Sequence, residues 1–331
     1  MIEIATIYDE NGLAQLRPEW EQLWRRDPAA TPFQSPAWLY AWWRFFGTAE
    51  PLILSARDRD RLVGLLPLYR LREEGCRKLL PLGVGLADYI DALIDPCACS
   101  TVPDLLVAAI AEIDGWDECW LPDLAPDGVL AQATMPPALV AVTSAAAPCP
   151  VLGLPRLPAG LAQIAPRKTL RDLRQARARA AMAGPVAIER IAAAERLDAA
   201  MDDLFRLHEE RWRAQGEDGL FGDPQIREFH RAAAAGLLDC GMLRLYWLWL
   251  GDTVFAAYYG FAAKGTAYAY LGGFDPAQPR LSPGAQIIAH AIEQAIAEGA
   301  ATFDFLRGAE NYKYAWGAVD RAKLSVYLRR R

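Results

Sequence analysis

The sequence predicts an α+β chain made of two similar halves, each a mixed, mainly antiparallel sheet flanked by helices. Three observations carry that prediction. The order strand, strand, strand, helix, strand occurs twice, about half a chain apart. A proline-crowded stretch separates the two runs. The composition is globular: 331 residues, 53% hydrophobic and 23% charged, suffice for two cores.

The first half opens with a helix that presents Trp20, Leu23 and Trp24 on one face. Pro36 starts another, with Trp38, Leu39, Trp42, Trp43, Phe45 and Phe46 gathered in it, an aromatic density that reads as core. Strands follow at 52–56 and 62–69 with a polar turn between them, then a longer extended region at 78–94. A helix at 103–113 shows Leu105, Leu106, Ala109, Ile110 and Ile113 at helical spacing, and a strand at 118–121 closes the unit.

Prolines at 122, 126, 136, 137, 148, 150, 155, 158 and 166 prevent regular helix and mark a connecting segment. They divide the chain into domains at 1–150 and 151–331. The apolar runs 139–142 and 151–154 make the connector a packed one.

The second half begins with a basic helix. Arg167, Lys168, Arg171, Arg174, Arg177 and Arg179 are opposed there only by Asp172. Two readings stand: a solvated helix with Leu170, Leu173 and Ala180 turned inward, or a docking face for phosphate. A strand at 186–191 and a helix at 195–215, carrying His208, Arg211 and Trp212, follow. Strands at 243–250 and 253–261 flank the hairpin pair Gly251-Asp252, and a third strand covers 266–274.

A helix then opens at Ser282, an N-cap residue, with Pro283 at its first position and Gly299 past its end. Ile288, Ala291, Ile292, Ala295 and Ile296 form its apolar stripe. Its first turn leaves backbone N–H groups free, and Gly284 and Ala285 allow close approach, which is the make-up of an anion site. A short strand at 302–306 completes the repeat. The first-half helix opens Thr101-Val102-Pro103 without glycine, so a donor site is expected only in the second half.

A net charge of −6 argues against non-specific nucleic-acid binding. The opening residues lack the apolar core of a signal peptide, and no apolar run approaches membrane-spanning length, so a soluble, cytoplasmic protein is expected. Six scattered cysteines and three histidines do not make a metal site, and no G-x-S-x-G supports a serine triad.

The segments PFQSPAWLYAWW, LVGLLPLYR, LGVGLADYIDALIDP, HEERWRAQGEDGLF, YLGGFDP, LSPGAQII and FDFLRGAENYKYAW resemble the CelD-like acetyltransferases associated with bacterial envelope polysaccharide. The order of the second half is similar to the GNAT superfamily of N-acyltransferases, and the tandem arrangement resembles the Fem-type aminoacyltransferases. The resemblance implies acetyl-CoA or another acyl-CoA as donor, no metal, and a small-molecule or sugar amine as acceptor. The Fem-type likeness implies an aminoacyl-tRNA donor instead, which the basic helix would suit. One departure from the GNAT pattern is that Arg280 precedes Leu-Ser-Pro-Gly-Ala, so the glycine falls one place late. That departure keeps a non-catalytic scaffold of a polysaccharide-synthesis complex in view.

Acyl transfer to an amine needs a polarised carbonyl, a deprotonated amine and a proton for the leaving thiolate. The expected donor site comprises Leu271, Gly272, Gly273, Arg280, Ser282, Gly284 and Ala285. Asp304 lies mid-strand between Phe303 and Phe305, as a base of raised pKa or as a carboxylate paired to Arg307 or a nearby turn. Tyr312 is the expected proton donor, although Tyr312 and Trp316 equally suit a packing cluster. Arg307, Glu310, Lys313 and Trp316, with Trp212, are expected to line the acceptor site. Asp88, Tyr89 and Asp91 would bind a sugar hydroxyl or an amine.

Overall fold

The structure is a computed structural model that describes residues 1–47, 50–156 and 160–331. The chain divides into two units, Met1–Ala147 with Ala322–Arg331, and Pro148–Arg321. The sequence reading assigns everything beyond residue 150 to the second unit, but Ala322–Arg331 belongs to the first.

In chain order the elements are β1 (Ile2–Ile7), α1 (Glu10–Arg26), α2 (Pro36–Phe46), β2 (Glu50–Asp58), β3 (Arg61–Glu73), β4 (Cys76–Pro81), β5 (Leu93–Ile94), α3 (Val102–Glu112), β6 (Glu118–Leu124), α4 (Val129–Gln132) and β7 (Leu139–Gly153). They continue with α5 (Arg167–Ala183), β8 (Val186–Ile191), α6 (Leu197–Arg213), α7 (Pro224–Asp239), β9 (Leu243–Leu250), β10 (Thr253–Ala263), β11 (Thr266–Phe274), α8 (Pro283–Ala297), β12 (Thr302–Asp304), α9 (Asn311–Tyr314) and β13 (Val319–Arg330).

Within the first unit the strands are ordered β1-β2-β3-β4-β6-β13, with β5 beside β3. Within the second the order is β7-β12-β11-β10-β9-β8. The expected duplication is present in each unit. A three-stranded antiparallel meander (β2-β3-β4 or β9-β10-β11) leads into a helix, and the next strand returns parallel to the third. The pairs Lys78 with Glu118 and Leu79 with Cys119 make that parallel join in the first unit. Thr266 with Thr302, Ala267 with Phe303 and Tyr268 with Asp304 make it in the second.

Hydrophobic spacing decides which faces are buried. In α1, Leu13, Leu16, Trp20, Leu23 and Trp24 are buried, and in α2 the buried set includes Trp38, Leu39, Trp42 and Trp43. In the second unit Tyr246, Leu248, Phe255, Ile292, Ile296, Phe303, Phe305 and Trp316 form one core between the sheet and α8.

Several elements escape the sequence reading. The segment after β4 is not extended, because Gly83 and Gly85 turn it at φ 90 and 87. Asp88, Tyr89 and Asp91 therefore lie in an irregular stretch and not in a strand. The proline-rich connector contains β7, a strand of 15 residues that runs through Pro148 and Pro150. Pro158 lies outside the described residues. β1, α7 and β13 form where the sequence reading predicts nothing. Among the described residues no helix is long and apolar enough to cross a membrane.

Candidate active site

The second unit holds a notch where two parallel strands part. β11 and β12 pair only from residues 266 and 302 to residues 268 and 304. β11 then continues to Phe274, while the other chain turns away at Leu306, whose φ is 59. A bulge accompanies the parting: Tyr259 pairs with Leu271 and Gly260 with Ala269, which leaves Tyr270 as the extra residue. Bulges bend a strand and release backbone groups from the ladder. Leu271, Gly272 and Gly273 thus lie beyond the last β12 partner, as a carbonyl-binding edge requires.

The start of α8 follows from a 3-10 turn at Pro279–Leu281. Ser282 is the residue before the helix, as expected, but it adopts the left-handed conformation at φ 47 and makes no side-chain cap. Its hydroxyl instead donates back to the Pro279 carbonyl at 3.4 Å. Pro283 has no N–H, so the first-turn donors are those of Gly284 and Ala285. Gly284 is not open to a ligand on its side-chain face, since a Cβ there would lie 3.0 Å from the Phe274 ring. Ala285 is exposed. The Arg179 Nε on α5 donates to the Arg280 carbonyl at 2.8 Å, so a second cation stands by this helix start. Arg177 pairs with Glu293 of α8 at 3.1 Å.

Gly273 is required for packing. A Cβ there would strike the α6 backbone at Leu207 and His208. The glycine lets helix and strand touch, and not the ligand approach expected from sequence. Gly272 is less tightly held: a Cβ there would lie 3.3 Å from the Ala257 carbonyl, a close contact but not a clash.

α6 brings a group that the sequence reading did not assign to the site. The Arg211 guanidinium lies over the rings of Phe274 and Trp212, at 5.1 and 5.6 Å, and reaches the Gly272 carbonyl at 3.4 Å. Its Nε has no hydrogen-bond partner. The Trp212 indole N–H donates to His208 Nε2 at 3.0 Å, so that donor is already engaged. Burial, and then the Arg211 charge, push the His208 imidazole down to about 4, which keeps it neutral. The signal available in sequence was the run HEERWR, which sets His208, Arg211 and Trp212 on one side of a helix.

Beyond β12 the polar residues mostly satisfy one another. Asp304 is fully buried; its Oδ1 accepts the Leu306 N–H at 2.8 Å and its Oδ2 lies 3.3 Å from Arg321. It is thus held by a nearby turn, one of the two readings above, with Arg321 as a cation beside it. Lys313 is 2% exposed and bonded to backbone carbonyls, so it faces inward, while Glu310 lies 2.9 Å from its ammonium with its own side chain half exposed. Trp316 is buried in the core. The Arg307 side chain is exposed.

Tyr312 stays accessible, at 40% exposure, with its ring edge-on to Phe305. Burial first, and Glu310 second, push its hydroxyl up to about 12 against the opposing pull of Arg211. It is a proton and hydrogen-bond donor at neutral pH. The structure thus gathers Gly272, Arg211 and Phe274 at one place, and the Arg211 charge is felt at Tyr312.

Asp88, Tyr89 and Asp91 belong to the first unit. The Asp91 carboxylate accepts the N–H groups of Ala92, Val129 and Leu130 and so caps α4. The Asp88 carbonyl and the Tyr89 ring receive the ammonium of Lys323, which also pairs with Asp123 at 2.9 Å. The first turn of α3 packs against Gly64 through Val102, and Asp104 accepts the Thr134 N–H. Among the described residues no group of three or more His, Cys, Asp or Glu is arranged to hold a metal.

The notch, the helix start and the strand order have a counterpart in a known domain model, the acetyltransferase (GNAT) domain, which residues 167–314 match. The second unit is thus similar to a GNAT acetyltransferase domain over this stretch. Acyl transfer is the reaction class that goes with it. No curated protein matches the sequence. Among solved structures, FemX superposes with a TM-score of 0.68 at 11% identity, over 97% of this chain and 96% of that one. The C-terminal domain of a putative lysylphosphatidylglycerol synthetase from Agrobacterium fabrum gives 0.58 at 13%, over 95% and 91%. The L-PGS of Bacillus licheniformis gives 0.57 at 10%, over 93% and 90%. At such identities these likenesses concern the fold. The GNAT-like stretch here lies in the second of two units with the same strand and helix order.

Proposed function

We propose that the second unit is an acyl-CoA-dependent N-acyltransferase, with acetyl-CoA as donor and a primary amine as acceptor. The acceptor class favoured by the sequence resemblance is an amino sugar of envelope polysaccharide metabolism. The observation that carries this reading is the parting of β11 and β12 beside a helix start that offers the N–H groups of Gly284 and Ala285, with Arg179 and Arg280 adjacent. Those groups suit a pyrophosphate. The freed edge at Leu271 and Gly272 suits a thioester carbonyl.

In this reading the amine nitrogen bonds to the carbonyl carbon and the C–S bond breaks. The thiolate takes a proton from Tyr312, and the proton shed by nitrogen returns to Tyr312 through water. Asp304 is already engaged by Leu306 and Arg321, so its part is to shape the strand end. Calorimetry with acetyl-CoA and CoA tests the donor: binding at micromolar concentration that weakens in R179A and R280A is expected, and no binding would sink the reading.

A second reading is transfer from an aminoacyl-tRNA. Among the described residues Arg167, Lys168 and Arg174 on α5 have no carboxylate partner, which favours it, as does the Fem-type resemblance. Salt-sensitive retention of tRNA, lost when these three become alanine, is its test. A scaffold without chemistry would keep its biological role in Y312F.

A further inference from the structure

Lys313 is a charged side chain in the middle of the site that faces no solvent. It is 2% exposed. Its ammonium donates to the carbonyls of Leu306, Arg307 and Gly308 at 3.1, 2.8 and 3.1 Å, and lies 2.9 Å from Glu310 Oε2. An ammonium has three N–H donors and no acceptor. Three carbonyls and one carboxylate use them fully, which leaves nothing for a substrate.

The chain adopts an uncommon path to make this cage. Leu306 is left-handed at φ 59, a conformation that costs a branched residue free energy. Gly308 sits at φ 112, and a Cβ there would meet the Glu310 carboxylate. The Leu306 N–H is held from the other side by Asp304. The turn between β12 and α9 is therefore wound around a cation of its own chain. Tyr312, the residue before Lys313, rides on that turn and meets Phe305 edge-on.

We propose that Lys313 is a positioning residue: its ammonium shapes the turn at 306–308 and so sets Tyr312 at the notch. Lys313 itself moves no proton in the reaction. The proposal rests on the reading of the second unit as an acyl-donor site.

The test uses the full chain and the variant K313M, which keeps the length of the side chain and removes the charge. Amide hydrogen exchange across 305–312 should speed up about tenfold or more, while 243–261 is unchanged. With acetyl-CoA as donor and D-glucosamine as the probe acceptor, kcat should fall about 10²-fold with KM for acetyl-CoA within about threefold. Both limbs of the pH profile should stay in place.

Loss of a limb would mean that Lys313 titrates in the reaction and would overturn the proposal. So would unchanged exchange, or faster exchange with kcat intact. Should K313M fail to fold, G308A perturbs the same turn and keeps the ammonium; it should reproduce the exchange and kcat changes, and its silence in both would equally overturn the proposal. If the wild type shows no turnover, the functional reading falls alone, and exchange still decides whether Lys313 holds the turn.

Discussion

Asp304 and Lys313 grip the two ends of one residue: the carboxylate accepts the Leu306 N–H at 2.8 Å and the ammonium binds the Leu306 carbonyl at 3.1 Å. Both side chains are buried, so neither bond competes with water. Asp304→Ala should cost roughly 2 kcal/mol, less than a fully buried pair because Arg321 is partly exposed. Asp304→Asn keeps an acceptor for Leu306 and should cost about half of that. Urea unfolding of both variants measures the difference.

Gly273→Ala should destabilise the second unit by about 1–3 kcal/mol, because its Cβ meets the α6 backbone, which cannot yield as a side chain end does. Gly272→Ala should be much milder. Thermal unfolding of the pair checks the order, and equal effects would contradict the packing described.

Tyr312→Phe should lower kcat by about 10²-fold, the usual yield of one positioned acid. Binding of CoA by calorimetry should be unchanged, since the phosphates are assigned to α8. An equal loss in binding would place Tyr312 in donor recognition.

The two units should respond to pH in opposite directions. Burial pushes His208 down to about 4 and His230 down to about 3. Below about 6.5 the unfolded chain takes up protons that the fold refuses, so these histidines erode the second unit as pH falls from there towards 4. In the first unit, burial pushes Asp91 up to about 7 against three backbone N–H bonds. The unfolded carboxyl ionises first, so this contribution is complete below about 4 and lost as pH rises through 7. Hydrogen exchange at pH 5 and pH 8, read separately in the two units, checks both signs.

Lys323→Ala should cost about 3 kcal/mol, since it breaks the ion pair with Asp123 and empties a wholly buried site. The loss should appear in the first unit, where β13 pairs with β6 through Leu324, Val326, Tyr327 and Leu328. Exchange in β6 that stays slow in this variant would contradict it.

The sequence by itself determined the α+β class, the duplicated order and the position of α8. These follow from local physics: apolar period, turn residues and proline act over a few residues. It also marked Tyr312. What only the tertiary structure decided is which polar groups remain available. Asp304 and Lys313 look like site residues in sequence, yet their partners consume them. Arg211 is one cation among many until Phe274 and Gly272 come up beside it. The strands β7 and β13 were hidden by prolines and arginines, because strand formation depends on a neighbour to pair with. That neighbour lies some two hundred residues away for β13 and β6, a separation no local pattern can report.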